Sequence, residues 1–261
     1  MGKIITIAMN TYKEAVRNKV FYIILLFALG LLLVSLLLAT LALGEDDRII
    51  KHVGLTAINV FGLLLSAFVG VNLVYEELDK RTLYTIIASG VTRSQFIIGK
   101  YLGLFFTVVV NVLIMGFLLC VLITLWPSSH VTPTLIFAIF LFLFEMMIIT
   151  AIAVLFSSFS TPVLSAMLTF MCWVIGHMSE DLWEWSRRLM EQGSAGIARF
   201  LQVLYYVLPN LEIYNIRNQV VYREDLGSLG SMVFLYPFAA ILYTGILLII
   251  TILSFARRDF K

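Results

Sequence analysis

The sequence predicts an all-α polytopic membrane protein whose six apolar helices cross the bilayer. Hydrophobic residues make up 61% of the 261-residue chain, charged residues 13%, and the mean hydropathy is +1.00, far too apolar for a soluble domain of this length. The apolar stretches run about twenty residues or more, the length a helix needs to cross roughly 30 Å of hydrocarbon. They lack the two-residue alternation of a membrane β-barrel. The spans read as Val20–Leu43, Val53–Tyr75, Gln95–Leu125, Thr134–Phe156, Pro162–His177 and Met232–Phe255 within a single transmembrane domain over 1–261. The third is long enough to project beyond the bilayer, and the fifth is short.

The segment 1–19 precedes the first span and has helical spacing of its own. Ile4, Ile5, Ala8, Tyr12, Ala15 and Val16 fall on one face, and Lys3, Thr6, Asn10, Lys13, Glu14 and Arg17 take the other. Such a helix is expected to lie along the membrane interface with its basic face toward lipid headgroups. The first span is too long for the core of a cleaved signal peptide and reads as an uncleaved signal-anchor. Met1 to Thr6 also matches a myristoylation pattern, but a lipid adds little to a chain held by several spans.

Basic residues near the span ends set the expected orientation. Lys3, Lys13, Arg17, Lys19, Lys80, Arg81, Arg93, Lys100, Arg257, Arg258 and Lys261 share one side, opposed by Arg48 and Lys51, which have Glu45, Asp46 and Asp47 beside them. By the positive-inside rule both termini are cytoplasmic. A formal net charge of +2 gives no reason to expect a nucleic-acid partner.

A polar island, Tyr75 to Gln95, separates the second and third spans and faces the cytoplasm in this topology. Glu76 precedes Lys80 by four residues and Glu77 precedes Arg81 by four, the orientation in which ion pairs support a helix, so a short charged helix is expected over Glu76 to Ala88. Gly90 suits its stop, and Thr92 with Gln95 reads as a capping box opening the next helix. The island is either an ordinary loop or a docking element. On the opposite side, 178–231 is too long and too patterned for a plain connection. Leu182, Trp183, Trp185, Leu189 and Met190 suit an interfacial helix ended by Gly193. Ile197, Phe200, Leu201, Leu204, Tyr205 and Leu208 suit a second, stopped by Pro209 and Asn210. Together they predict a helical hairpin that caps the bundle or guides substrate.

Inside the spans, Glu145 is the one ionisable residue at depth in this reading, with no Lys or Arg at its level. A carboxylate there is costly unless protonated, paired or wet, which makes it a candidate for the substrate pathway. Asn59, Asn72, Asn111 and Thr150 are candidate hydrogen-bond partners, and Asn59 and Asn111 join Glu145 in the candidate pathway. A glutamate kept neutral by its surroundings is an equally good reading. Gly62, Ser66 and Gly70 form a small-residue stripe suited to helix packing. Cys120 and Cys172 lie inside spans without the spacing of a disulfide framework or metal site.

Enzyme chemistry finds little purchase. Glu76, Glu77 and Arg81 spell the EExxxR motif of CAAX-type intramembrane proteases, and His177 to Asp181 resembles a further motif of that family. The topology, however, puts Glu76 and His177 at opposite membrane faces, and none of His52, His130 and His177 sits in the FxxxH pattern. The Gly-Lys pairs at Gly2 and Gly99 lack the upstream glycine and following Ser or Thr of a P-loop, so this chain is not expected to hydrolyse ATP. A secondary transporter or channel is the other alternative, and it would normally place several ionisable or helix-breaking residues at mid-membrane.

The interfacial N-terminal helix, six spans, and the motif Glu76-Glu77 … Arg81-Thr-Leu83 … Ser89-Gly-Val-Thr-Arg-Ser94 … Gly99-Lys-Tyr-Leu-Gly103 resemble the permease subunits of ABC-2 type (type V exporter-like) transporters. The ending Phe255-Ala-Arg-Arg-Asp-Phe260 is similar too. Leu208-Pro-Asn-Leu-Glu-Ile-Tyr214 is similar to the branch that includes the permease of the nitrous-oxide-reductase maturation system. The resemblance implies that 1–19 is an elbow helix and that 76–93 holds a coupling helix. Its residues Glu76, Glu77, Asp79, Lys80, Arg81, Leu83 and Tyr84 would contact a P-loop ABC ATPase. It implies two ATPase subunits that bind ATP and Mg, a second permease (the same chain or a related one), surrounding lipid, and residence in the cytoplasmic (inner) membrane of a prokaryote. No cofactor is implied in this chain. The apolar spans and Trp-rich outer hairpin lean toward a lipophilic cargo.

Overall fold

A computed structural model describes residues 2–41, 45–79, 91–127, 129–222 and 232–256, with the backbone alone at 69, 72–79, 232, 233 and 256. Among the described residues every regular element is helical: α1 (Gly2–Arg17), α2 (Lys19–Leu41), α3 (Asp46–Asp79), α4 (Arg93–Leu125), α5 (Pro133–Ser157), α6 (Pro162–His177), α7 (Ser179–Glu191), α8 (Ala195–Val207), a 3-10 turn (Glu212–Tyr214), α9 (Arg217–Tyr222) and α10 (Met232–Ala256). Five are long and apolar enough to cross a membrane: α2, α3 over Asp46–Phe68, α4, α5 and α10. A sixth is counted if α6 and α7, bent by 71° to one another, make one span.

The distribution of apolar side chains is that of a protein in lipid. Leu26, Phe27, Leu33 and Leu37 on α2 and Phe234, Phe238 and Ile249 on α10 point outward and are exposed. An apolar surface this broad requires an apolar surrounding phase. The centre belongs to α5, whose Leu141, Phe142, Met146, Ile149 and Ala153 are buried. It packs on α3, α4, α6 and α10 and also meets the 3-10 turn and α9. A helix apolar on all sides and surrounded by others is the expected core element.

Small residues bring the helices together. The stripe on α3 runs parallel to α5: Gly62 faces Met146, Ser66 accepts a 3.3 Å hydrogen bond from Thr150, and Gly70 faces Ala153. Without a hydrophobic force between helices in lipid, such close approach is what allows dispersion contacts to hold them. Thr92 caps α4 with a complete capping box, its hydroxyl accepting from the Gln95 N–H and the Gln95 side chain accepting from the Thr92 N–H.

Two boundaries differ from the sequence reading. The second span was expected to begin at Val53, but α3 begins at Asp46. Asp46 and Asp47 occupy its first turn, where the helix dipole favours acids, and Lys51 pairs with Asp47 at 2.7 Å one turn on. Charged residues that read as a loop are therefore extra helix. At the other end α3 continues without a break through Glu76, Glu77 and Asp79. The rest of the helix expected over Glu76 to Ala88 lies outside the described residues, as do 42–44 at the end of the first expected span.

α1 has three sectors where the sequence suggested two faces. Ile4, Ile7, Ala8, Thr11 and Ala15 turn toward the protein, Lys3, Thr6, Asn10, Lys13 and Arg17 lie on the opposite side, and Ile5 and Met9 remain exposed between them. The inward sector lies on the first turns of α4, where Gly99 and Gly103 leave room for it. A Cβ on Gly99 would come within 2.8 Å of Ile7, and one on Gly103 would collide with the Ala8 carbonyl oxygen. Lys100, between the glycines, reaches Glu14 at 3.4 Å.

Gly103→Val should therefore destabilise the protein by about 1–3 kcal/mol through overpacking, read as a lower thermal midpoint in mild detergent. Gly30→Ala, where no described residue lies within 4 Å of the new methyl, should hold or raise the midpoint, because alanine is the better helix former by roughly 0.5–1 kcal/mol. Equal midpoints for both variants would show that α1 is not held on α4.

Candidate functional site

Glu145 lies midway along α5 and is fully buried. α5 starts at Thr132, whose hydroxyl accepts the Leu135 N–H, with Pro133 in the first turn where its missing N–H costs nothing. The carboxylate then falls twelve residues, about 18 Å, along the helix. Both oxygens accept hydrogen bonds from other helices. Asn59 Nδ2 on α3 donates to Oε2 at 2.6 Å, and Trp173 Nε1 on α6 donates to Oε1 at 3.0 Å. His177, one turn after Trp173, places Nε2 3.5 Å from Oε1.

The short α6 makes this possible. It starts at the end of the bundle that carries α1 and stops at His177, so its last turn comes level with the middle of α5. Trp173 and His177, four apart, share a face, with ring centroids 4.7 Å apart and His177 Nδ1 3.1 Å from the Trp173 carbonyl oxygen. The chain returning from the α7–α8 hairpin locks the last turn. The Leu211 N–H donates to the Gly176 carbonyl at 3.0 Å, and a Cβ on Gly176 would come within 2.8 Å of Leu211.

That returning chain adds a second polar layer. Arg217 Nη1 donates to Thr56 on α3 at 2.8 Å, and its Nε donates to Asn215 Oδ1 at 2.9 Å. Asn215 Nδ2 donates to both oxygens of Glu212, at 3.1 and 3.2 Å. Burial pushes the Glu212 carboxyl above the ordinary carboxylate range, while the Asn215 hydrogen bonds and the Arg217 charge draw it back. Burial likewise lowers Arg217, opposed by Glu145 and Glu212 within electrostatic reach. The Tyr214 hydroxyl donates to the Tyr236 carbonyl on α10 at 3.2 Å, tying this layer to the last helix.

The sequence candidates divide. Glu145 and Asn59 are brought together. Asn111 is not; both its polar atoms are buried without a hydrogen bond among the described residues. Thr150 bonds Ser66 and its own helix, and the Asn72 side chain lies outside the described residues. Glu76, Glu77 and Asp79 occupy the end of α3, and Lys80, Arg81, Leu83 and Tyr84 lie outside the described residues. The reading that no cation shares the level of Glu145 is corrected by Arg217, which enters from the segment between spans and not from a span. Trp173 and His177 were missed as its partners, although two polar-tipped residues one turn apart at the end of a short apolar helix are a usable signal. Glu76 lies seventeen residues past Asn59, about 25 Å along α3, so it shares no site with His177. Among the described residues no group of three or more His, Cys, Asp or Glu side chains could hold a metal ion.

The cluster therefore places one carboxyl, one imidazole and two neutral donors together in the core, with a guanidinium nearby. Such a set can hold a charge or a proton away from bulk water. A scan with protein-family models matches nothing in this chain, and a search of curated proteins finds no match either.

Glu145→Ala leaves the Asn59 and Trp173 donors unpaired and should cost about 1–3 kcal/mol for each orphaned group. Glu145→Gln should cost much less, because Asn59 can turn its Oδ1, which has no hydrogen bond among the described residues, toward the new amide. Thermal midpoints in detergent check the order; an alanine variant as stable as the glutamine variant would remove these hydrogen bonds from the account.

Proposed function

We propose that this chain is the membrane-spanning permease subunit of an ABC-2 type exporter. It moves substrate across the cytoplasmic membrane with energy from ATP hydrolysed on a separate subunit. The observation that carries the reading is the motif that begins at Glu76 and Glu77 at the end of α3 and runs to Gly103 in α4. Its described parts have mechanical sense. The 34-residue α3 extends unbroken from Asp46 to the motif's first acids, so a push there travels along a stiff rod to Asn59 and the Glu145 cluster. α4 starts at a capping box, and Gly99 and Gly103 seat α1 on its first turns, which supports reading 1–19 as an elbow helix.

In this reading ATP-driven closure of two P-loop subunits presses on Glu76, Glu77, Asp79, Lys80, Arg81, Leu83 and Tyr84. α3 and α4 convey the displacement, and two permeases alternate between inward-open and outward-open forms. The α7–α8 hairpin stands at the exit. ATP and Mg belong to the partner, since this sequence has no P-loop. A secondary transporter is the second reading, favoured by one observation: buried Glu145 with half-buried His177 and Arg217 beside it is the kind of charge set that ion-coupled carriers use.

Co-purification with a P-loop ATPase in mild detergent tests the first reading. A stable complex is expected, and Glu77→Lys or Arg81→Glu should uncouple ATP hydrolysis from transport. If no ATPase associates, or if charge reversal leaves coupling intact, the docking role is refuted and the second reading takes precedence.

A further inference from the structure

We propose that Glu145 and His177 together bind a single proton, which latches the last turn of α6 onto α5. The argument starts from the imidazole. Its Nδ1 lies 3.1 Å from the Trp173 carbonyl oxygen, and a carbonyl can only accept, so Nδ1 carries hydrogen. In a neutral ring Nε2 is then a lone pair. That atom is buried, has no hydrogen bond among the described residues, and lies 3.5 Å from Glu145 Oε1. An ionised Glu145 opposite a neutral His177 thus sets two lone pairs against each other in the core.

One proton resolves the conflict in either of two ways. A carboxylic acid donates to Nε2, or an imidazolium Nε2–H donates to the carboxylate. In both, the pair goes from one negative charge to none, and the 3.5 Å gap can close toward the ordinary hydrogen-bond length of about 3.0 Å. The two residues share the proton as a unit.

Polar and charged groups from several elements surround the pair. Asn59 from α3 and Trp173 from α6 donate to the carboxylate, and Arg217 on α9, anchored to Thr56 of α3, offers a countercharge. Glu212 lies within electrostatic reach of the pair, and Glu180 and Asp181 of α7 act in turn on Glu212. The charged groups that act on the pair are thus Arg217 and Glu212, and the polar groups described on α10 and α4 nearby are neutral: Tyr214 donates to the Tyr236 carbonyl and Tyr101 to the Met147 carbonyl. His177 immediately precedes the bend at Met178, where the chain turns by 71° into α7. Loss of the proton loosens this joint and frees the hairpin to move relative to the bundle.

The inference depends on the helix packing and not on an ATPase partner, so failed co-purification leaves it standing. The test uses the full chain in lipid nanodiscs. Infrared difference spectra against pH, in H2O and D2O, follow buried carboxylic acid, and Trp173 fluorescence follows imidazolium quenching by the adjacent His177 ring, assigned by its loss in Trp173→Phe. A one-proton transition is expected in at least one signal and should vanish in Glu145→Gln. His177→Gln removes the facing lone pair and should lower the infrared midpoint by about one pH unit or more. Trp173→Phe, which keeps the pair but removes a donor to the carboxylate, should raise that midpoint and serves also if the other variants fail to fold. Absence of a transition from both signals overturns the proposal, and so does a transition that Glu145→Gln and His177→Gln leave unchanged or, should neither fold, one that Trp173→Phe does not shift.

Discussion

The carboxyl of Glu145 can stay in the core because donors reach it from two other helices, and those bonds set the register of three helices at once. Asn59 on α3 and Trp173 on α6 converge on one side chain of α5, each on a different carboxylate oxygen. A slip of α3 or α6 by a single turn would carry its donor more than 5 Å away and leave buried polar groups unsatisfied. Apolar contacts tolerate such slips far better, since one leucine resembles the next. The polar cluster is therefore what makes the arrangement of α3, α5 and α6 specific.

Around that fixed point the bundle closes by removing side chains where backbones must approach. Gly62, Ser66 and Gly70 seat α3 on α5, Gly99 and Gly103 receive α1, and Gly176 lets the returning loop reach the end of α6. Each is a place where a methyl group would meet backbone or a neighbouring side chain. Packing at such points supplies the dispersion that lipid-exposed helices cannot obtain from the hydrophobic effect.

The geometry also joins the two ends of the molecule. α3 carries the acids of the polar island at one end and Asn59 and Thr56 in its other half, where the Glu145 and Arg217 layers meet it. α6 ends at the same cluster and turns there into the hairpin. A displacement of α3 thus meets the polar cluster before it can reach α7 and α8. Under the proposed reading, docking force and proton occupancy act on the same joint.

Composition and the lengths of the apolar runs were enough to determine a helical membrane protein, because hydrocarbon thickness and the need to satisfy the backbone internally leave few alternatives. The capping box at Thr92, the stop at Gly193 with its φ of +80°, and the placing of Glu145 at the middle of a span were equally legible, since each is local to one segment. The early start of α3 was misread because the Asp47–Lys51 pair looks like loop polarity until it is seen as helix spacing. Which side chains surround Glu145 was a tertiary decision. Trp173 and His177 qualify because α6 stops at mid-depth, and Arg217 qualifies because a segment between spans folds back onto Thr56. Contacts between residues dozens of positions apart depend on helix register and loop path, and a single sequence does not state either.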